Sequence, residues 1–154
     1  MQRKDVLNKA QTKNASKLKI GIVVSDYYDD ITGRMLVGAL EVLRAWQVTE
    51  KNTTVVHVPG SFEITYGCLS LLKRKKYDAV IALGCIIKGE TSHDQYIAHA
   101  VAHGVVNLMF AYKKPISFGV VTANDVEQAN VRSTGENNKG KEAAVAALQM
   151  ALLK

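Results

Sequence analysis

The stretch "LGCIIKGETSH" ends on His93 and carries Lys88, Glu90 and Thr91 within reach of it. Its glycines repeat as G-x-x-x-x-G, the opening of a phosphate-cradling P-loop, but Glu90 stands where that loop needs a lysine. An anion can still be held there by another rule. Gly89 permits a sharp turn, Thr91 and Ser92 are good helix N-caps, and free amides at a helix start bind phosphate without a lysine side chain. Glu90 must then point to solvent, and Lys88 adds positive charge. An ordinary strand-to-helix turn has the same spacing. His93 falls in the first helical turn, where an imidazole can exchange protons near neutral pH. A second cluster is "VPGSFEI". Ser61 can cap a helix, Glu63 is a capping carboxylate or an acceptor for a polyol's hydroxyls, and Phe62 is core or a ring-stacking wall. His99 and His103 have the i, i+4 spacing of a metal pair, but no third ligand accompanies them, and with His57 they read as structural or interface residues. No metal is expected.

The elements that must position these groups alternate in type. "KLKIGIVVS", "TTVVHV", "AVIALGCII" and "ISFGVVT" are apolar enough for strands, and the third is as continuous as a buried parallel strand requires. Between and after them, helical spacing of apolar residues covers 29–46, 62–75, 91–111, a short piece at 125–132 and an alanine-rich close from 141. Ile97, Val101, Val105, Leu108 and Met109 fall on one side of the third helix. "STGENNKG" reads as a turn-rich break. This alternation predicts a flavodoxin-like three-layer α/β/α sandwich with a four-stranded parallel sheet. Ligands of such sheets bind beyond the carboxyl ends of the strands, which selects the loops at 26–30, 59–63, 85–93 and 122–125.

A chain of 154 residues with 47% hydrophobic residues supports one domain with one core. Its expected extent is 17–154, after a flexible arm at 1–16 whose polar sequence lacks the apolar region of a secretory signal. No apolar run is long enough to span a membrane. Cys68 and Cys85 both sit in apolar segments and read as buried thiols of a reducing, cytoplasmic compartment. The formal charge of +6 favours anionic small substrates. The run Lys73 to Lys76 suits a helix end, and without interleaved aromatic residues it does not suggest nucleic-acid binding.

Taken in order, "VPGSFEI", "ALGCIIKGETSH" and "NKGKEAA" resemble the 6,7-dimethyl-8-ribityllumazine synthase family, with likeness over about 18–152. The resemblance implies a transferase that uses no cofactor. It implies two small-molecule substrates, 5-amino-6-(D-ribitylamino)uracil and 3,4-dihydroxy-2-butanone 4-phosphate, condensed with release of phosphate and water in the penultimate step of riboflavin biosynthesis. On that pattern Tyr27 stacks on the pyrimidine. Ser61, Phe62 and Glu63 bind the ribityl chain and ring, and Cys85, Ile86 and Ile87 contact the pyrimidine. Glu90 and Thr91 hold phosphate through main-chain N–H groups, and His93 moves protons. Phe118 and Arg132 match residues that the family supplies from a neighbouring subunit, Arg132 to the phosphate.

The resemblance also implies a homo-oligomer: a pentamer, a pair of pentamers or an icosahedral shell. The first loop reads Asp26, Tyr27, Tyr28 where the family has Arg-aromatic-Asn, so either tyrosine can supply the ring, with Tyr27 favoured by alignment. Asp94 and Gln95 replace the aromatic and acid that usually follow the histidine. The segment before "NKG" is one residue shorter than usual, which leaves Lys139 as an alternative phosphate partner to Arg132; Glu142 reads as a helix-surface residue in preference to a further polar contributor. A catalytically inactive shell-forming or flavin/lumazine-binding homologue is the competing reading.

Overall fold

The computed structural model describes residues 13–153. Most of the expected arm at 1–16 lies outside them. Ala15 is buried, and its amide donates to the Trp46 carbonyl at 2.9 Å.

Four parallel strands form one sheet: β1 (Ile20–Ser25), β2 (Thr53–Val58), β3 (Ala79–Ile87) and β4 (Ile116–Ala123), in the spatial order β2-β1-β3-β4. Every residue of β1 is buried, as are all but the last of β3, because helices cover both faces of these central strands. The edge strands alternate or are half-exposed. On one face α1 (Asp29–Ala45) and α5 (Lys139–Ala151) pack Met35, Leu43, Ala144 and Leu148 onto Ile22, Ile81 and Leu83. On the other, α2 (Ile64–Leu72) and α3 (His93–Tyr112) pack Ile64, Leu71, Val101 and Val105 onto Val23, Val80 and Ala82. A short α4 (Val126–Val131) follows β4. The expected flavodoxin-like sandwich is the observed fold.

Element ends differ from expectation for local reasons. The helix expected at 62–75 begins with a 3-10 turn, Ser61–Glu63, and α2 stops at Leu72 because Lys75 takes a left-handed φ of 56°. The basic run therefore lies at and just beyond the helix end. The expected turn-rich break contains a 3-10 turn, Gly135–Asn137, and α5 starts two residues earlier than anticipated. Its start is fixed by Asn138, whose side chain accepts from the amides of Gly140 and Lys141. Ile97, Leu108 and Met109 pack against the core beside Val101 and Val105, as their spacing predicts. The opposite side of α3 displays Tyr96 and Phe110 to solvent.

The chain leaves β1 outward to β2 and returns past it to β3. The loops after β1 and β3 therefore diverge, opening a crevice at their carboxyl ends.

Candidate active site

The crevice is built from the ends of β1, β2 and β3. After β2, the 3-10 turn Ser61–Glu63 folds against β3, and the Ser61 hydroxyl donates to the Cys85 carbonyl at 3.2 Å. This approach requires Gly84, since a Cβ there would meet Ser61 Oγ at 2.9 Å and Ile64 Cδ1 at 2.6 Å. Phe62 and Glu63 remain exposed on the turn. The Glu63 carboxylate lies back over Gly60, where a Cβ would meet Oε2 at 2.9 Å.

After β1, Tyr27 and Tyr28 meet edge to face with ring centroids 5.0 Å apart. Tyr28 is partly buried against the core, and this burial, with Tyr27 and Cys85 nearby, raises its phenol above the usual tyrosine range. Tyr27 is 73% exposed. The loop is fixed to β2 twice. The Asp26 amide donates to the Val58 carbonyl at 2.9 Å, and Asp26 Oδ1 lies 2.7 Å from His57 Nδ1. The sequence reading passed over this His57–Asp26 pair at the rim. Its only signal was register: Val24 stands opposite His57, which places Asp26 just beyond it.

Cys85 and Ile86 are buried at the end of β3, and Ile87 is half-buried. Burial, then Asp30, push the Cys85 thiol up to about 11. Beyond them the loop turns outward. Gly89 has neither a left-handed φ nor any neighbour within 4 Å of a built Cβ, so the turn does not depend on glycine as expected. Ser92 occupies the N-cap of α3 but makes no side-chain capping bond, and the amide of His93 has only a 3.4 Å contact with Thr91 Oγ1. The Gln95 and Tyr96 amides bond to the Ser92 carbonyl, so it is the amides before them, with only the long Thr91 contact at His93, that can accept an anion. Glu90, Thr91 and His93 are all exposed around it, with Glu90 turned to solvent as expected.

Phe118, Arg132 and Lys139 stand elsewhere. They line a cavity of about 750 Å³ along the free edge of β4, walled by residues of β4, the turn after α4 and the start of α5. None of the crevice residues from Tyr27 to His93 lines it. Arg132 and Lys139 are seven residues apart in sequence but adjacent in space, because the Lys139 amide donates to the Arg132 carbonyl at 2.8 Å. Glu142, read from the sequence as a helix-surface residue, is instead largely buried and lines the cavity beside Lys139. The candidate residues thus form two separate groups in one chain.

Among the described residues no group of three His, Cys, Asp or Glu side chains could hold a metal ion, and no helix is long and apolar enough to cross a membrane.

The family model for 6,7-dimethyl-8-ribityllumazine synthase matches residues 17–154. The chain belongs to the 6,7-dimethyl-8-ribityllumazine synthase family. Curated relatives bearing that name are similar over most of their length. The protein of Buchnera aphidicola subsp. Baizongia pistaciae is 46% identical over 137 residues, 88% of this chain and 86% of the relative. That of Phocaeicola vulgatus is 40% identical over 138 residues, 89% of this chain and 82% of the relative. The Parabacteroides distasonis protein is 41% identical over 138 residues, 89% and 86% of the two chains. Both the crevice and the β4 cavity lie inside the part matched by the lumazine synthase model.

Proposed function

We infer that this chain is a 6,7-dimethyl-8-ribityllumazine synthase. It condenses 5-amino-6-(D-ribitylamino)uracil with 3,4-dihydroxy-2-butanone 4-phosphate, releasing phosphate and water. The observation that carries this reading is the crevice of a lumazine synthase family member. The turn Ser61–Glu63, the end of β3 and the uncapped start of α3 converge there. In this reading Tyr27 and Phe62 offer exposed rings to the pyrimidine. Ser61 and Glu63 serve the ribityl side, Cys85 to Ile87 form the floor, and amides at Glu90 and Thr91 hold the phosphate. His93, one helical turn from that anion, moves the protons that imine formation and phosphate elimination require. Holding two reactants together supplies much of the remaining acceleration.

Phe118, Arg132 and Lys139 complete the site of an adjoining copy. Their separation from the crevice supports this, as do the bare aromatic side chains of α3, which need cover in an assembly. The protein acts in the cytoplasm as a homo-oligomer. The test is to mix the protein with both substrates, follow lumazine fluorescence and released phosphate, and measure mass by light scattering. Turnover above the uncatalysed rate by an oligomer is expected. No turnover would sink the activity, and an active monomer would sink the shared site.

A further inference from the structure

The irregular segment from Arg132 to Lys139 is tied to α1 at both ends. At the near end, Arg34 donates from Nε to Ser133 Oγ at 3.0 Å and from Nη2 to Asn130 Oδ1. Ser133 is fully buried, and its hydroxyl passes on to the Asn130 carbonyl at 2.9 Å. At the far end, the buried Asn138 donates from Nδ2 to the carbonyls of Arg34 at 3.0 Å and Ser133 at 2.8 Å. Its Oδ1 accepts from the Gly140 amide at 2.8 Å. The fit against α1 is close. A Cβ on Gly38 would meet Asn138 Nδ2 at 2.6 Å, and a Cβ on Gly140 would meet the Met35 carbonyl oxygen at 1.9 Å.

Arg34 thus places its guanidinium on neutral acceptors, Ser133 within the segment and Asn130 at the end of α4 just before it. Among the described residues its one carboxylate neighbour, Asp30, stands at 3.8 Å and is exposed. Hydrogen bonds from a charged donor to neutral acceptors, one buried at Ser133 and one half-buried at Asn130, are worth more than an exposed ion pair of that length. The side chain of Arg34 is not among those lining the β4 cavity, so it acts on that cavity through what it holds.

We propose that Arg34 and Asn138 are positioning residues for the phosphate: together they fix the loop from which Arg132 and Lys139 enter the β4 cavity. This rests on the reading that Arg132 or Lys139 takes the phosphate of the ketone substrate. Loss of the clamp lets that loop sample other arrangements, and binding weakens by the fraction of time spent in the competent one.

The experiment measures KM for each substrate, kcat, and the affinity for inorganic phosphate by calorimetry on the assembled protein. Arg34→Met keeps the aliphatic stem and removes the fork. It is expected to raise both KM for the phosphorylated ketone and the phosphate Kd about tenfold, the effect of a loop that holds its competent arrangement about a tenth of the time. KM for the pyrimidine and kcat should stay within about twofold, the mark of lost uniform binding. Arg34→Lys, with one compact donor, should fall between. Asp30→Asn leaves the hydrogen bonds of Arg34 to Ser133 and Asn130 in place and should leave the phosphate Kd unchanged.

An unchanged phosphate affinity in Arg34→Met overturns the proposal. So does an equal rise in both KM values, or an Asp30→Asn variant that reproduces the effect. Should Arg34→Met not fold, Ser133→Ala removes the acceptor of Nε together with the hydroxyl's own bond to the Asn130 carbonyl, keeps Nη2 on Asn130, and must still raise the same two constants; unchanged values refute the clamp. Turnover and phosphate affinity also separate this idea from the one beneath it. If the unaltered protein lacks turnover while Arg34→Met weakens phosphate binding, the activity is wrong and the positioning role stands.

Discussion

Lys139 holds its ammonium 2.8 and 2.9 Å from the two carboxylate oxygens of Glu142, whereas among the described residues the Arg132 guanidinium on the same cavity wall carries no ion pair. An ammonium already shared with a carboxylate is a weaker lure for phosphate than a planar fork without one. Arg132→Ala is therefore expected to raise KM for the phosphorylated ketone by roughly 10- to 100-fold, the equivalent of about 1.5–3 kcal/mol for a charge-assisted contact. Lys139→Ala should raise it less and lower stability more, since the largely buried Glu142 loses a partner. Steady-state kinetics beside urea unfolding check both. A larger kinetic effect at Lys139 would transfer the phosphate to it.

His93 is exposed at the start of α3, where no described residue needs it for packing. His93→Ala should fold normally, lose about 100-fold or more in kcat, and keep its affinity for inorganic phosphate, because in the proposed site amides rather than the imidazole hold the anion. Single-turnover kinetics with phosphate calorimetry decide this. Weakened phosphate binding with a near-normal rate would assign the imidazole to binding instead.

The two thiols supply a pH signature. Burial pushes Cys68 from 9.0 up to about 12, and burial with Asp30 pushes Cys85 from 9.0 up to about 11. Near neutrality both are protonated whether the chain is folded or not, and they add no pH dependence. Above about pH 9 the unfolded chain releases these protons while the folded one retains them, so stability falls with rising pH until the folded thiols ionise at about 11 to 12. Urea midpoints between pH 8 and 10.5 should fall more steeply for the natural chain than for a Cys68→Ala, Cys85→Ala double variant. At pH 7.5 neither thiol should react with iodoacetamide until denaturant is added.

Two glycines should respond oppositely to alanine. Gly140 faces the backbone of α1, with a built Cβ 1.9 Å from the Met35 carbonyl oxygen, so Gly140→Ala must part α1 from α5. A loss of about 3 kcal/mol is expected from such overpacking. Gly33 lies within α1 and has open space around it, so Gly33→Ala should gain about 1 kcal/mol of helix propensity. Urea unfolding of both variants measures the contrast.

What could be read beforehand divides along physical lines. β1 and β3 announced themselves because a strand buried on both faces must be apolar throughout. The start of α3 was visible in the hydroxyl residues before His93, although Ser92 then makes no capping bond. The start of α5 was misplaced because the weight of Asn138 as a cap was not seen in "ENNKGKE". The clamp was wholly hidden. Its bonds join residues 96, 99 and 104 positions apart, and no local pattern marks Arg34 as different from any helix-surface arginine. The His57–Asp26 pair, 31 positions apart, was hidden for the same reason until strand register was known.

The crevice and the β4 cavity have no lining residue in common, and in the proposed assembly each catalytic centre draws its halves from two chains. Damage to one half is then confined to one side of every interface. Two defective alleles, one encoding His93→Ala and the other Arg132→Ala, should rescue each other. Dissociated, mixed in equal amounts and reassembled at random around a head-to-tail ring, about a quarter of their interfaces would join an intact crevice to an intact β4 wall. Neither variant regains anything when reassembled alone. Recovery of activity in the mixture would show that each working centre belongs to a pair of neighbours rather than to any single polypeptide.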